Sequence, residues 1–126
     1  MKKKILVVDD EVSLTHMIRR GLEAKGNYLV MEENSGRRAI TAARSFRPDI
    51  VLLDVMMPDL DGGSVAAIFA EDDDLKHIPI VFLTAIVTKE ETQPTGSVIG
   101  RHTFMAKPVN LDDLLTCIED HLGAGR

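Results

Sequence analysis

Three short, almost purely apolar runs constrain this chain more than any other feature. They are Ile5-Leu6-Val7-Val8, Ile50-Val51-Leu52-Leu53 and Ile78 to Leu83. A strand with one wet face alternates apolar and polar residues. A run that is apolar at every position must be covered on both faces, as in a parallel sheet packed between helices. Tyr28 to Met31, after the turn signal Gly26-Asn27, and Phe104-Met105-Ala106, stopped by Lys107-Pro108, supply two weaker strand candidates.

Helical spacing fills the intervals. Leu14, Met17, Ile18 and Leu22 form one stripe closed by Gly26, and Ala39, Ile40, Ala43 and Phe46 another that ends before Arg47-Pro48. Val65, Ile68 and Phe69 follow Gly62-Gly63, and Leu111, Leu114, Leu115, Ile118 and Leu122 make the clearest stripe, with Asn110 placed as its N-cap. Strand and helix thus alternate about five times with short connections. The expected architecture is α/β: a flavodoxin-like, doubly wound, five-stranded parallel sheet with helices on both faces. Thr88 to Ser97 should hold the fourth helix, yet Pro94 and Gly96 fall in its second half, so a short or irregular helix is expected there.

At 126 residues, with 44% apolar residues, the chain has room for one compact domain, residues 1–126 with a core over about 3–122. The 15 basic and 20 acidic groups give net charge −5, which argues against direct nucleic-acid binding. The single cysteine, Cys117, excludes an internal disulfide framework and suits a reducing cytoplasm. No apolar run approaches the roughly 20 residues that cross a bilayer, so no membrane insertion is expected.

Ligands of an open parallel sheet bind beyond the carboxyl ends of its strands. Here those ends carry Asp9-Asp10, Asp54, Thr84 and Lys107. In the flavodoxin-like order the first and third strands are neighbours, which brings Asp9, Asp10 and Asp54 within reach of one another. Clustered carboxylates repel unless a cation neutralises them, and an all-oxygen set with room for water suits Mg2+. Lys107 adds a point charge and Thr84 a hydroxyl for phosphoryl oxygens. A carboxylate so placed is a competent nucleophile toward phosphorus. The rim therefore reads as a site for phosphoryl transfer onto an aspartate.

The sequence resembles a response-regulator receiver domain of bacterial two-component signalling. The resemblance is carried by Ile5 to Glu11 (ILVVDDE), Asp54 to Gly62 (DVMMPDLDG), Leu83-Thr84-Ala85 and Phe104 to Pro108 (FMAKP), in order, across nearly the whole chain. It implies that Asp54 is the phosphoacceptor. It further implies that Asp10, Asp54 and the backbone carbonyl of Met56 bind Mg2+ directly, and that Asp9 acts mainly through water. Lys107 would pair with the phosphoryl group, Thr84 would turn toward it on activation, and Phe104 would follow inward. The implied donor is a histidine kinase or a histidine phosphotransfer protein. The implied output is an altered surface around the fourth helix, fifth strand and last helix, read by a downstream effector that the sequence does not name. The side chains two after the phosphoacceptor and two after the threonine, Met56 and Ile86, would tune loss of the phosphoryl group. Both are apolar, so slow self-dephosphorylation is expected. On this reading the chain is not an enzyme in the usual sense, catalysing only its own phosphorylation and slow dephosphorylation.

Two other classes compete: a Mg2+-dependent phosphohydrolase working through an aspartyl phosphate, and a receiver-like binding module that is never phosphorylated. The absence of a cap insertion counts against the first, and the complete set Asp9, Asp10, Asp54, Thr84 and Lys107 against the second. Asp59-Leu60-Asp61-Gly62 also looks like the D-x-D-G motif of haloacid-dehalogenase-type phosphatases. However, Asp59 does not directly follow an apolar strand, and the spacing lacks the further ligands of a calcium loop.

Overall fold

The computed structural model describes residues 2–85, 97–99 and 102–123, without the side chains of 97–99 and 102. In chain order the elements are β1 (Lys3–Val8), α1 (Val12–Glu23), β2 (Tyr28–Glu33), α2 (Gly36–Phe46), β3 (Ile50–Asp54), α3 (Gly62–Glu71), β4 (Ile80–Thr84), β5 (Ser97–Ile99), β6 (His102–Ala106) and α4 (Leu111–Leu122). The sheet order is β2-β1-β3-β4-β6-β5. The five strands expected from the sequence are all parallel. A three-residue strand, β5, adds to the β6 edge in antiparallel sense. The expected irregular fourth helix falls on 88–96, outside the described residues, apart from Ser97, which opens β5.

The apolar runs split by parity, as strand geometry requires. Ile5, Val7, Ile50, Leu52, Val81 and Leu83 face one core with Ile18 and Leu22 of α1 and Leu114 and Ile118 of α4. Leu6, Val8, Val51, Leu53 and Phe82 face the other, against Ala39 and Ala43 of α2 and Val65 and Phe69 of α3. Residues 5–8 and 50–53 are wholly buried, so both faces of the central strands are dry. Cys117 lies in the first core beside Ile118.

Helix starts follow local chemistry. Ser35, Asp61 and Asn110 each stand at an N-cap, accepting from the backbone N–H three residues on, at Arg38, Ser64 and Asp113. Asn110 is the cap the sequence predicts. Gly26, at φ 88°, makes the turn after α1 that a side chain would strain. Gly62 answers a different need. A Cβ there would collide with the backbone carbonyl oxygen of Asp54, so only glycine lets α3 start against the end of β3.

Candidate functional site

The central strands all run the same way, so β1, β3 and β4 deliver Asp9, Asp54 and Thr84 to one rim. All three are buried. Lys107 follows the end of β6, and its N–H donates to the carbonyl of Thr84 at 2.9 Å, which ties the lysine to the neighbouring strand end. Its ammonium lies 2.7 Å from Asp9 Oδ2 and 3.3 Å from Asp54 Oδ1. Asp10 is exposed at the edge of the pocket, and oxygens of Asp9, Asp10 and Asp54 all lie within 4.8 Å of one another.

Asp54 Oδ1 accepts from Lys107 Nζ at 3.3 Å and weakly from the Met56 N–H at 3.4 Å. Asp9 Oδ1 accepts from the Glu11 N–H at 2.9 Å, which turns the chain into α1. Asp9 Oδ2 is fully buried and faces the Lys107 ammonium at 2.7 Å as its ion-pair partner. Burial first, and the Asp9 charge second, push the Asp54 carboxyl above the usual range, although Lys107 pulls it down. Burial opposes charge on Lys107, but Asp9 and Asp54 outweigh it and raise the ammonium pKa. Two buried carboxylates thus share the Lys107 ammonium, with the Asp10 carboxylate close beside them. A hard, oxygen-only cluster of three carboxylates, two of them buried on a single lysine, is what a small divalent cation would complete, so these residues fit Mg2+.

The remaining expected site residues divide. Thr84 lies at the end of β4, opposite Ala106 across the ladder with β6. Phe104 lies two pairs earlier on that ladder, opposite Phe82, and stacks on it with ring centroids 5.0 Å apart. Met56 holds its backbone beside Asp54 and exposes its side chain, 65% accessible. Ile86 lies outside the described residues.

The structure gives structural roles to two more residues: Asn34, which the sequence does not single out, and Asp59, which it raises only in the D-x-D-G and calcium-loop comparisons. Asn34 donates to the backbone carbonyl of Asp9 at 2.8 Å and to Thr15 Oγ1 at 3.0 Å. Asp59 accepts from Ser35 Oγ at 2.6 Å and from the N–H groups of Gly36 and Arg37 at 3.2 Å each. These donors hold its carboxyl far below the ordinary carboxylate range, the Ser35 hydroxyl most strongly. Asp59 therefore anchors the start of α2, and its neighbour Asp61 caps α3. Neither serves a phosphatase motif or a calcium loop. Asp72, at the end of α3, pairs with Arg44 at 2.6 Å and links α3 to α2.

A carboxylate cluster with one lysine, at the carboxyl rim of five parallel strands, defines the class. The family model for the response regulator receiver domain matches residues 5–119, and the chain belongs to that family. It is 31% identical over 125 residues to the polar-differentiation response regulator DivK of Brucella anthropi, covering 98% of both chains. Among solved structures, the N-terminal domain of a response regulator receiver protein from Methanoculleus marisnigri is 35% identical over 98% of both chains, with a TM-score of 0.69. The chemotaxis protein CheY4 of Vibrio cholerae is 28% identical, covering 95% of this chain and 98% of that one, with a TM-score of 0.79. Among the described residues no helix is long and apolar enough to cross a membrane.

Proposed function

We propose that this receiver domain accepts a phosphoryl group on Asp54 from a phosphohistidine and so switches a surface that an effector reads. The observation that carries the reading is the pairing of buried Asp54 and Asp9 around Lys107, with the exposed Asp10 carboxylate beside them. Such a pocket is costly to fold, and cation binding together with phosphoryl transfer accounts for every part of it.

Asp10, Asp54 and the carbonyl of Met56 would hold Mg2+ directly, with Asp9 acting mainly through water. When bound, the ion neutralises the carboxylates and the charge on the transferring phosphoryl oxygens. Lys107 and Met56 both engage Asp54 Oδ1, so Oδ2 is the oxygen with no hydrogen bond among the described residues and is the candidate nucleophile. Its lone pair forms the new O–P bond as the N–P bond of the donor breaks, and the electron pair leaves with the imidazole. Lys107 then contributes a cation to the phosphoryl oxygens, and the Thr84 hydroxyl turns in as a donor. Movement of Thr84 frees space toward which Phe104 shifts, altering the β6 side of the sheet. The domain catalyses its own phosphorylation and slow dephosphorylation, and the donor is a histidine kinase or histidine phosphotransfer protein.

Incubation with acetyl phosphate and Mg2+, followed by intact-mass measurement, tests the proposal. One phosphoryl mass should be gained, and it should be lost in Asp54→Ala and in EDTA. Labelling that persists in Asp54→Ala would place the acceptor elsewhere.

A further inference from the structure

The described residues outside the acidic pocket contain one feature that reaches it from two sides. Residues 34–37, at the start of α2, contact both loops that carry the carboxylates. Asn34 reaches the β1–α1 loop, donating to the Asp9 carbonyl at 2.8 Å. One step on, Ser35, Gly36 and Arg37 hold Asp59 of the β3–α3 loop through three donors. Gly36 allows this closeness, because a Cβ there would strike the backbone carbonyl oxygen of Leu60.

The β3–α3 loop is thereby fixed at both ends. At its far end Asp59 and Leu60 lie on α2, and Gly62 returns to donate to the Val55 carbonyl at 2.9 Å. Met56, whose N–H points to Asp54, lies between these anchors. Asp59 is an exposed side chain that fills no core space, and its donors belong to another helix than the one its own loop opens. Its bonds therefore set where the loop sits more than they stabilise the loop itself.

We infer that Asp59 and Asn34 are positioning residues. Through the start of α2 they fix the spacing between the Asp9-Asp10 turn and the Asp54-Met56 turn, and hence the affinity of the pocket for a divalent cation. The inference rests on the proposed Mg2+-dependent function. It predicts that loosening Asp59 degrades cation binding without removing any ligand, since groups that orient metal ligands govern affinity nearly as strongly as the ligands do.

The experiment is a titration of the whole protein with MgCl2, followed by the amide resonances of residues 54–57, alongside the melting temperature of each variant. Asp59→Ala should weaken Mg2+ binding by about ten-fold. Asp59→Asn keeps the size and one acceptor and should lose less. Asp72→Ala serves as the control, because it frees the other end of α2 from α3 by removing the Arg44 pair. It should bind Mg2+ as the wild type does, whatever its loss of melting temperature. Wild-type affinity in Asp59→Ala would overturn the inference, as would an equal loss in Asp72→Ala, which would show only general loosening of α2. A wild-type protein that shows no saturable response to Mg2+ would overturn the functional proposal and this inference with it.

Discussion

Replacing Asp54 by asparagine should stabilise the cation-free protein, although it destroys the proposed phosphoacceptor. Asp54 is buried within 4.8 Å of the Asp9 and Asp10 oxygens. Two unit charges at that distance repel by roughly 3–4 kcal/mol at an effective dielectric of about 20. Lys107, 3.3 Å away, attracts by about 5 kcal/mol on the same scale. That attraction is shared, because the ammonium lies closer to Asp9, at 2.7 Å. Desolvation of the ionised carboxyl therefore decides the sign, consistent with the upward direction of its pKa. A carboxyl whose folded pKa exceeds its unfolded value favours folding below the unfolded pKa, and that contribution is lost as pH rises through the folded pKa. At neutral pH the ionised group is thus a net cost, and the amide removes it while keeping an acceptor for Met56 and Lys107. The expected gain is about 1–2 kcal/mol, the size of a relieved buried polar mismatch. Urea unfolding by far-ultraviolet circular dichroism in EDTA at pH 7 measures it. Below the usual carboxylate range the two proteins should converge. Mg2+ at about a hundred times its Kd should reverse the order, since it stabilises the wild type by about 2.7 kcal/mol. An Asp54→Asn variant less stable than wild type in EDTA would refute the reasoning, because Lys107 would then outweigh both burial and repulsion.

Three further outcomes follow from other parts of the structure. Gly62→Ala drives a methyl into the backbone carbonyl of Asp54 and should cost about 1–2 kcal/mol in urea unfolding, net of the gain in helix propensity. An unchanged midpoint would mean that α3 can retreat from β3. If the side chains at the two expected tuning positions control the attacking water, Met56→Asn or Ile86→Glu should speed phosphate release from the phosphorylated protein, and unchanged rates would remove them from that role. Cys117, buried and with its thiol pushed up to about 11 by burial and then by Asp120, should react with an aromatic disulfide reagent at pH 8 only after urea unfolds the chain. Rapid labelling of the native protein would contradict its place in the core.

The legible part of this molecule was the part governed by continuous patterns. Runs such as Ile5 to Val8 declare dry faces on both sides, and a parallel sheet puts its polar punctuation on one rim. Asp9, Asp54, Thr84 and Lys107 could therefore be brought together from sequence, although up to 98 positions separate them in a chain of 126. Asn34 and Asp59 were not legible in this way. Each is a turn-forming residue in a turn, and nothing local distinguishes a side chain that bonds its own loop from one that reaches a partner 24 or 25 positions away. Arg44 and Asp72, 28 positions apart, escaped for the same reason. Strand β5 escaped because three residues are too few to show a period.

Chemical mapping of the acceptor tests the central claim most directly. An aspartyl phosphate is an acyl phosphate, and borohydride reduces it to homoserine, which marks the residue permanently. After treatment with a phosphodonor and Mg2+, then borohydride and proteolysis, fragment masses should place homoserine at position 54 and nowhere else, with none formed in EDTA. Homoserine at Asp9, Asp10 or Asp59, or its absence from position 54 in protein that has gained phosphoryl mass, would contradict the account.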